Sequence, residues 1–318
     1  MQSILITGAA GFVGLACVKY FVQKGYKVYG LHRQASQSPI ISQAGGIPVL
    51  GNILSPGQSR LPVTDIIIHA AAHLGKWSHN REYIEVNING TQNIIDFATA
   101  NHIKKFIHIS TEAVVFNGKH QLNVNEKAPF PQTGYIYAAT KQQAENIVNN
   151  ASDTIQTIIL RPRIIWGPGD RTLLPLLIDA VKQKKFMWIN HGTNLVNTTH
   201  IYNLLHAIEL SLNYTKTGET FFIHDDETLS IKEFYSRLLE KKNIKTPARS
   251  IPRSLAIAAA WIIENTWQKL NIQSRPPITR FGAAVFSTNF TIDIQKAKSE
   301  LGYKPVISIS QALQKADC

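Results

Sequence analysis

Along its first half, the chain alternates short runs of β-branched and other apolar residues with segments whose apolar residues recur at helical spacing. Continuous apolar runs predict strands buried on both faces, as in a parallel sheet, and spacings of three and four residues predict helices between them. The predicted strands are 4–6, 27–31, 65–69, 105–109 and 157–160, and the predicted helices include 15–23, 84–100 and 138–149. Such alternation predicts an α/β fold with a doubly wound parallel sheet.

The pattern becomes less regular after Arg161, where the Gly- and Pro-bearing segment 166–170 predicts a loop. Short helical and hairpin-like pieces follow it. We therefore predict a Rossmann-type dinucleotide-binding domain over residues 1–165. Residues 166–318 are expected to form a smaller mixed α/β region that mainly binds substrate, with parts of it (about 195–225) returning to the core.

The composition is that of a globular protein, with 44% hydrophobic and 17% charged residues in a chain of 318. No apolar run reaches the roughly 18 residues of a membrane-spanning helix, and the N-terminus lacks the pattern of a signal peptide. Cys17 and Cys318 make no disulfide framework, and no Cys/His group has the spacing of metal ligands. We therefore expect a metal-free protein in the reducing cytoplasm.

The formal net charge of +12 leaves three interpretations open. A solvated basic surface is the one we favour; the others are an anionic ligand, such as a phosphate-rich cofactor or acidic substrate, and an anionic membrane surface. Apart from 182–185 and 241–242, Lys and Arg are scattered along the chain. No nucleic-acid-binding motif accompanies the charge, so we expect no nucleic-acid partner.

A glycine-rich turn follows the first predicted strand, with Gly8, Gly11 and Gly14 spaced as G-x-x-G-x-x-G. Glycines allow backbone N–H groups to approach a pyrophosphate, and the N-terminus of the next helix offers its partial positive charge to the same group. A glycine triplet alone is weak, but its position between the first strand and the first helix of an α/β pattern predicts dinucleotide binding.

The end of the second strand bears on the choice of cofactor. NAD-binding proteins usually carry a carboxylate there, which hydrogen-bonds the ribose 2′-hydroxyl, whereas this chain has His32 and Arg33. An Arg can hold a 2′-phosphate with paired, charge-assisted hydrogen bonds. The sequence thus favours NADP(H), with NAD(H) as the alternative if these two residues are merely part of the surface.

Tyr137 and Lys141 lie four residues apart on a predicted helix, so both side chains share one face. A Tyr hydroxyl can exchange a proton with a carbonyl or alcohol oxygen as hydride moves, and a nearby ammonium is expected to lower its pKa. The strand before this helix ends in Ser110 and Thr111, which supplies a candidate hydroxyl donor. We predict that these residues form the catalytic site.

Several motifs resemble those of the extended short-chain dehydrogenases: TGAAGFVG at 7–14, HAAA at 69–72, VNINGT at 86–91 and YAATK at 137–141. The segments STEAVVF at 110–116, LRPRIIWGPGD at 160–170 and HIYNLLHA at 200–207 resemble more narrowly the 3β-hydroxysteroid/sterol dehydrogenase branch, within the epimerase/dehydratase superfamily. The tail 275–303 continues the resemblance, which therefore covers nearly the whole chain.

The resemblance implies roles for individual residues. Thr111 would be the third catalytic residue, with Ser110 as the second choice. The chain departs from the family here, because many relatives carry a further Ser or Thr one or two positions later, where this chain has Glu112 and Ala113. Asn52 replaces a more usual Asp at the adenine. The candidate cofactor contacts are Thr7, Gly8, Gly11, Phe12, Val13, Gly14, His32, Arg33, Asn52, Ile53, Ala70, Ala71, Ala72, Asn87, Ile109, Tyr137, Lys141, Pro162, Ile164 and Ile165.

Three functions remain open at this stage. The first is an NADP(H)-dependent oxidoreductase that interconverts a hydroxyl and a carbonyl on a hydrophobic, sterol-like or β-keto substrate. The second is a nucleotide-sugar epimerase or dehydratase, against which we note that 196–199 lacks the Arg-Asp pair typical of those relatives. The third is a non-catalytic dinucleotide sensor, which would not need the Tyr137/Lys141 pair.

Two further expectations concern partners. The resemblance implies a homodimer formed through paired helices. The segment 255–263 is apolar all round and too short to span a bilayer. We favour a buried helix that walls the substrate pocket, with peripheral contact to a membrane as the alternative.

Overall fold

The computed structural model describes residues 1–74, 80–171, 173–272, 274 and 276–315. Cys318 and Arg275, the first residue of the tail that carried the resemblance, lie outside the described residues. Cys17 is a free, buried cysteine. In the parts that the structure describes, no helix has both the length and the apolar character needed to cross a membrane.

Fifteen strands are described: β1 Ser3–Thr7, β2 Lys27–His32, β3 Ile47–Leu50, β4 Ile66–His69, β5 Lys105–Ile109, β6 Gln121–Val124, β7 Gln156–Pro162, β8 Ile165–Trp166, β9 Trp188–Ile189, β10 Leu195–Val196, β11 Thr199–His200, β12 Glu219–Ile223, β13 Leu229–Ser230, β14 Ser250–Ile251 and β15 Phe290–Ile292. Twelve α-helices are described: α1 Phe12–Gln23, α2 Ser38–Gln43, α3 Asn80–Tyr83, α4 Gly90–Ala100, α5 Ile136–Asn150, α6 Leu174–Lys182, α7 Ile201–Asn213, α8 Ile231–Lys241, α9 Arg253–Lys269, α10 Arg280–Val285, α11 Gln295–Glu300 and α12 Ile309–Gln314.

Seven strands form one parallel sheet in the order β12-β7-β5-β4-β1-β2-β3. The order reverses beside β1, and in sheets of this kind ligands bind at the carboxyl ends of the strands near that reversal. The predicted doubly wound, Rossmann-type α/β fold is confirmed. All five predicted strands are present, whereas β3 and β12 at the two edges were not individually predicted.

Strands β1, β4 and β5 are fully or almost fully buried because helices cover both faces of the sheet. The residues alternate between two cores: Ile4, Ile6 and Ile68 pack on one face, and Leu5 and Ile67 on the other. This two-sided burial explains why the strands read as continuous apolar runs rather than alternating ones.

The predicted helix over 84–100 is divided in the structure. A π-helical segment, Ile84–Asn89, connects α3 to α4. π-helical turns inside helices occur frequently at functional sites. Here the segment carries Asn87, one of the candidate cofactor contacts, into a buried position.

Helix α9 differs from our expectation. Its fully buried residues are Ala256 and Ala260, whereas Leu255, Trp261 and Ile262 are 61%, 56% and 58% exposed. The favoured prediction of a buried helix is therefore wrong, because only the side with Ala256, Ala260 and the partly buried Ile257 packs, mainly against α10. The large apolar side chains form an outward-facing strip.

Candidate active site

The glycine turn is shaped for close approach. Gly8 has φ +66°, and a Cβ on it would lie 2.8 Å from the Cα of Ala71. A Cβ on Gly14 would lie 2.2 Å from the carbonyl oxygen of Gly8, so neither position accepts a side chain. Helix α1 begins at Phe12 after Gly11, which offers no side-chain cap. The first N–H groups of α1 therefore stay available, and this cradle fits the pyrophosphate of a dinucleotide.

Two buried hydroxyls tie the turn to the neighbouring strand. The Oγ1 of Thr7 accepts a hydrogen bond from the N–H of Ala71 (3.1 Å) and lies 2.8 Å from Nδ1 of His69. Nε2 of His69 in turn lies 3.1 Å from Oγ1 of Thr91. Because both ring nitrogens are engaged and the pKa of His69 is lowered to about 3 by burial and by the charge of Lys141, this histidine is neutral. The network fixes Ala71 beside the turn, with Ala70 and Ala72 on either side.

At the end of β2, His32 and Arg33 are placed differently. The His32 ring is buried, with Nδ1 3.0 Å from the carbonyl oxygen of Gln34 and Nε2 3.1 Å from Oγ of Ser38. Arg33 is exposed. His32 thus braces the loop after β2, and Arg33 is the side chain free to meet a phosphate there.

The next predicted contacts lie where β3 ends. Oδ1 of Asn52 accepts a hydrogen bond from the N–H of Leu54 (3.1 Å). Ile53 is buried, and its carbonyl oxygen accepts a hydrogen bond from Nδ2 of Asn93 (3.0 Å). The side-chain amide of Asn52 therefore stabilises the loop, and the residue stays partly exposed.

Lys141 and Tyr137 lie on α5 but in different surroundings. Lys141 is buried, and its Nζ lies 2.9 Å from Nε2 of His108 and donates to the carbonyl oxygen of Ile109 at 2.9 Å. Burial lowers the pKa of Lys141 to about 8, partly opposed by the carboxylate of Glu145. Tyr137 is partly exposed at the start of the helix.

The pKa of Tyr137 lies above its ordinary value, and this differs from our expectation. Burial is the main cause, and the carboxylate of Glu112 adds to it, while a hydrogen bond with Thr111 acts in the opposite direction. The ammonium of Lys141, which is bonded to His108 and Ile109, is not among the groups that shift this pKa.

The two candidate hydroxyls, those of Ser110 and Thr111, have different hydrogen-bond partners. Oγ of Ser110 donates a short hydrogen bond to Glu145, whose carboxylate also accepts from Arg161. Thr111 instead donates to Oε2 of Glu112 at 2.8 Å, and it is one of the groups that act on the pKa of Tyr137. The structure thus brings Thr111 to the tyrosine and ties Ser110 into an ion-pair network.

Two charged residues that we did not predict for the site lie next to it. Nη1 of Arg163 donates to Oε1 of Glu112 at 3.0 Å, and both side chains are buried. Nε and Nη2 of Arg163 have no hydrogen-bond partner among the described residues. The sequence carried a signal for this pair, because Glu112 and Arg163 are charged residues inside apolar segments, and charges buried there need partners.

The segment after β7 has an unusual backbone. Ile164 has φ +42°, a conformation that is costly for a β-branched residue. Thr199 holds it there: its N–H donates to the carbonyl oxygen of Ile164 (3.2 Å), and its hydroxyl bonds the carbonyl oxygen of Arg163 (2.9 Å). Strain of this kind clusters at ligand sites. Pro162 and Ile165, on either side, belong to β7 and β8.

Asn87 connects this site to the loop after β4. Its Oδ1 accepts from the N–H of His73 (2.7 Å), and its Nδ2 donates to Oγ1 of Thr140 (3.1 Å) and to the carbonyl oxygen of His73 (3.3 Å). The amide therefore bridges the π-helical segment, α5 and the loop.

Comparisons with known proteins agree with this geometry. The 3-beta hydroxysteroid dehydrogenase/isomerase family matches residues 5–253. A 4-hydroxy-2-methyl-3-oxo-4-farnesyl-3,4-dihydroquinoline-1-oxide ketoreductase from Stigmatella aurantiaca is 32% identical over 97% of this chain and 93% of its own length. A 2-alkyl-3-oxoalkanoate reductase from Stenotrophomonas maltophilia is 31% identical over 99% and 98%. A sterol-4-alpha-carboxylate 3-dehydrogenase from Dictyostelium discoideum is 28% identical over 98% and 99%.

Solved structures show the same fold. The UDP-glucuronic acid 4-epimerase of Bacillus cereus, in complex with NAD, superposes with a TM-score of 0.75 at 24% identity, over 98% of this chain and 96% of that one. The family match and the similar dehydrogenases and reductases lead to one conclusion. The chain belongs to the 3-beta hydroxysteroid dehydrogenase/isomerase family of NAD(P)-dependent oxidoreductases.

Proposed function

We propose that this protein uses NADP(H) to interconvert a carbonyl and a hydroxyl group on a hydrophobic substrate of the sterol-like or β-keto class. The observation that carries the proposal lies at the carboxyl end of β5. There Lys141 donates to the carbonyl oxygen of Ile109, and Thr111 and its partner Glu112 both act on the pKa of Tyr137. The names of the relatives support the substrate class, since one acts on a farnesylated ketone, one on 2-alkyl-3-oxoalkanoates and one on sterol 4-carboxylates.

The groups of the chain suit reduction. When bound, the nicotinamide supplies the hydride that attacks the carbonyl carbon. Tyr137 donates its proton to the carbonyl oxygen, so that one hydride and one proton yield the alcohol. Because its pKa is raised by burial and by Glu112, the phenol is protonated at neutral pH, as a proton donor must be. Thr111 orients that hydroxyl, and Lys141 supplies positive charge for the phenolate that forms.

The side chains around Tyr137 support a hydrophobic substrate. The ring of Phe281 lies 6.1 Å from that of Tyr137 and 5.3 Å from that of Tyr135, and Phe116 stacks on Tyr135 at 6.0 Å. These rings come from α5, α10 and the turn after β5. They give the region beside the reacting hydroxyl an apolar, aromatic wall.

A nucleotide-sugar epimerase or dehydratase remains the alternative function. The contacts of segment 196–199 support the first function over this alternative, which needs a site that binds a diphosphate. The side chain of Asn197 is committed to the protein: its Nδ2 donates to Glu227 and Thr228, and its Oδ1 accepts from the N–H of Ile292. Thr198 donates to the buried carboxylate of Asp225. We therefore favour the hydrophobic substrate.

The preference for NADP(H) rests on Arg33, which is exposed at the end of β2 where an acidic residue would repel a 2′-phosphate. Calorimetric titration should show NADPH binding at least about tenfold more tightly than NADH, because charge-assisted hydrogen bonds each contribute about 1.5–3 kcal/mol. Arg33→Ser should remove this difference. Equal affinities in the unaltered protein would contradict NADP(H) preference.

The central experiment combines a substrate screen with one substitution. Absorbance of the nicotinamide is followed with 3-hydroxysteroids, β-keto acids and sugar nucleotides, for the unaltered protein and for Tyr137→Phe. We expect turnover of the first or second class, reduced about 10²–10⁴-fold in Tyr137→Phe with cofactor binding retained. Turnover of sugar nucleotides alone would favour the alternative, and full activity of Tyr137→Phe would exclude the assigned proton donor.

We also propose that the exposed strip of α9 contacts an anionic membrane surface peripherally. Two basic segments, 182–185 and 241–249, lead into the paired strands β9 and β14, and α9 follows β14 directly. Charge and exposed apolar side chains together favour interfacial binding. We expect the protein to co-sediment with anionic vesicles at low salt, and the double variant Trp261→Ser/Ile262→Ser to lose this binding. If the unaltered protein stays in the supernatant, the membrane contact is excluded.

The homodimer implied by the resemblance stays a prediction, which light scattering tests.

A further inference from the structure

Lys141 has two fixed partners, and both lie on β5. Nζ lies 2.9 Å from Nε2 of His108 and 2.9 Å from the carbonyl oxygen of Ile109. Lys141 is 2% exposed and His108 is completely buried. An ammonium removed from water to this extent needs acceptors, and among the described residues the imidazole of His108 is the one side chain that forms a hydrogen bond with it.

The proton arrangement of His108 follows from this contact. Burial, together with the charge of Lys141, holds the pKa of His108 well below its ordinary value, so the ring is neutral. A neutral ring that accepts at Nε2 carries its hydrogen on Nδ1. Nδ1 has no hydrogen-bond partner among the described residues. An apolar side chain in this buried strand would avoid that unpaired donor, so the polar ring has a cost that the bond to Lys141 offsets.

A second buried histidine provides an internal comparison. The ring of His69 stacks on that of His108 with centroids 5.4 Å apart, and it is equally buried. Its nitrogens face Thr7 and Thr91 rather than Lys141. The two rings therefore share depth and chemistry and differ in whether they touch the ammonium.

We propose that His108 is a positioning residue for the proposed catalytic Lys141: its Nε2 accepts a hydrogen bond from Nζ and keeps the ammonium charged and anchored at the end of β5. This role rests on the proposed function, in which Lys141 stabilises the phenolate of Tyr137. Substitution of His108 should thus act through Lys141, without any contact of His108 with the substrate.

The proposal predicts the direction of a measurable shift. The pKa of Lys141 is lowered to about 8 by burial, opposed by Glu145, which is itself paired with Arg161. The other titratable groups that interact with Lys141 are the neutral rings of His69 and His108. Because an acceptor favours the charged ammonium, its removal should lower the pKa of Lys141 further, by about one to two units.

The test measures Lys141 directly, with protein labelled with ¹³C at the lysine Cε atoms. The Cε resonance of Lys141 is assigned by its loss in Lys141→Met, and its midpoint is followed against pH. We expect a midpoint near 8 in the unaltered protein. His108→Leu should lower it by about one to two units, and His108→Gln, which places an amide oxygen near the position of Nε2, should restore most of the difference.

His69→Leu is the matched control: it removes an equally buried histidine that does not touch Lys141 and should leave the midpoint within about half a unit. An unchanged midpoint in His108→Leu, or equal shifts in the two leucine variants, overturns the proposal. If His108→Leu does not fold, His108→Gln is compared with His108→Asn, whose side chain is too short for its oxygen to reach Nζ. Equal Lys141 midpoints in these two variants overturn the proposal. Since this readout needs no substrate, a failure of the proposed function shows separately, as absent turnover in the unaltered protein.

Discussion

Two buried ion pairs arise from the end of β7, two residues apart, and they are built differently. Arg161 makes a forked contact with Glu145, with Nη2 at 2.6 Å and Nε at 3.0 Å and 3.1 Å from the two carboxylate oxygens. Arg163 makes a single contact with Glu112 at 3.0 Å. Glu145 is fully buried, whereas Glu112 retains 7% of its surface.

The difference separates a structural pair from one that borders the chemistry. Glu145 also accepts from Ser110, so the first pair joins β5, α5 and β7. Glu112 accepts a hydrogen bond from the hydroxyl of Thr111, and its negative charge raises the pKa of Tyr137. Two donors of Arg163, Nε and Nη2, have no hydrogen-bond partner in the described part of the chain. Arg161 leaves one such donor, Nη1, in that part of the chain, so the less completely satisfied pair is the one beside the proposed proton donor.

The largest effect should come from breaking the forked pair. Glu145→Ala leaves the Arg161 guanidinium buried without its counter-charge, and we expect the free energy of unfolding to fall by about 3–5 kcal/mol. Urea denaturation followed by circular dichroism measures it. The double variant Glu145→Leu/Arg161→Met, which removes both charges, should recover most of the loss; an equal loss in the double variant would show that packing, rather than the unpaired charge, dominates.

A smaller loss is expected at the second pair. Glu112→Ala removes the acceptor of two hydrogen bonds, one from Arg163 and one from Thr111. Because the contact with Arg163 is single rather than forked and Glu112 keeps 7% of its surface, we expect a loss of about 1.5–3 kcal/mol of unfolding free energy. The same urea measurement applies, and Glu145→Ala serves as its reference. A loss at Glu112 as large as that at Glu145 would contradict the distinction between the two pairs.

The smallest effect concerns the pKa of Tyr137. Glu112→Gln keeps the shape and removes the negative charge that raises this pKa, so we expect the pKa to fall by about half a unit to one unit. Tyrosinate absorbance measured against pH, with Tyr137→Phe identifying the relevant phenol, reports the change. Glu145→Gln is the control, because its carboxylate is not among the groups that shift Tyr137; an equal fall in that variant would contradict the role of Glu112.

The sequence predicted the elements whose signals are local. Two-sided burial leaves uninterrupted apolar strands, and the Gly8 turn needs glycine for steric reasons, so both could be recognised from residue types. Edge strands were missed because β3 carries a proline and is partly exposed, and because β12 begins with two polar residues in the less regular second half of the chain. The exposed strip of α9 was misjudged because apolar residues all round a helix do not reveal which side packs; Ala256 and Ala260 face inward and Trp261 outward.

The site was predicted as positions along the chain but not as a network. The spacing of Tyr137 and Lys141 shows that they share a helix face, yet it cannot show that Lys141 bonds to β5. Partners such as His108 and Arg163 depend on register between strands, which is a tertiary property. For the same reason, the choice between Ser110 and Thr111 needed the location of Glu145, 35 residues away along the chain.

The placement of β12 has a consequence for synthesis. This strand pairs with β7 in the sheet, and the ammonium of Lys105 at the start of β5 bonds the carbonyl oxygens of Ser211 and Tyr214 at the end of α7. A ribosome adds about 5–20 residues per second, so β7 emerges several seconds before the strand that covers it. Throughout that interval the nascent chain carries an apolar strand with one unpaired edge, a surface prone to pairing with other chains until β12 arrives.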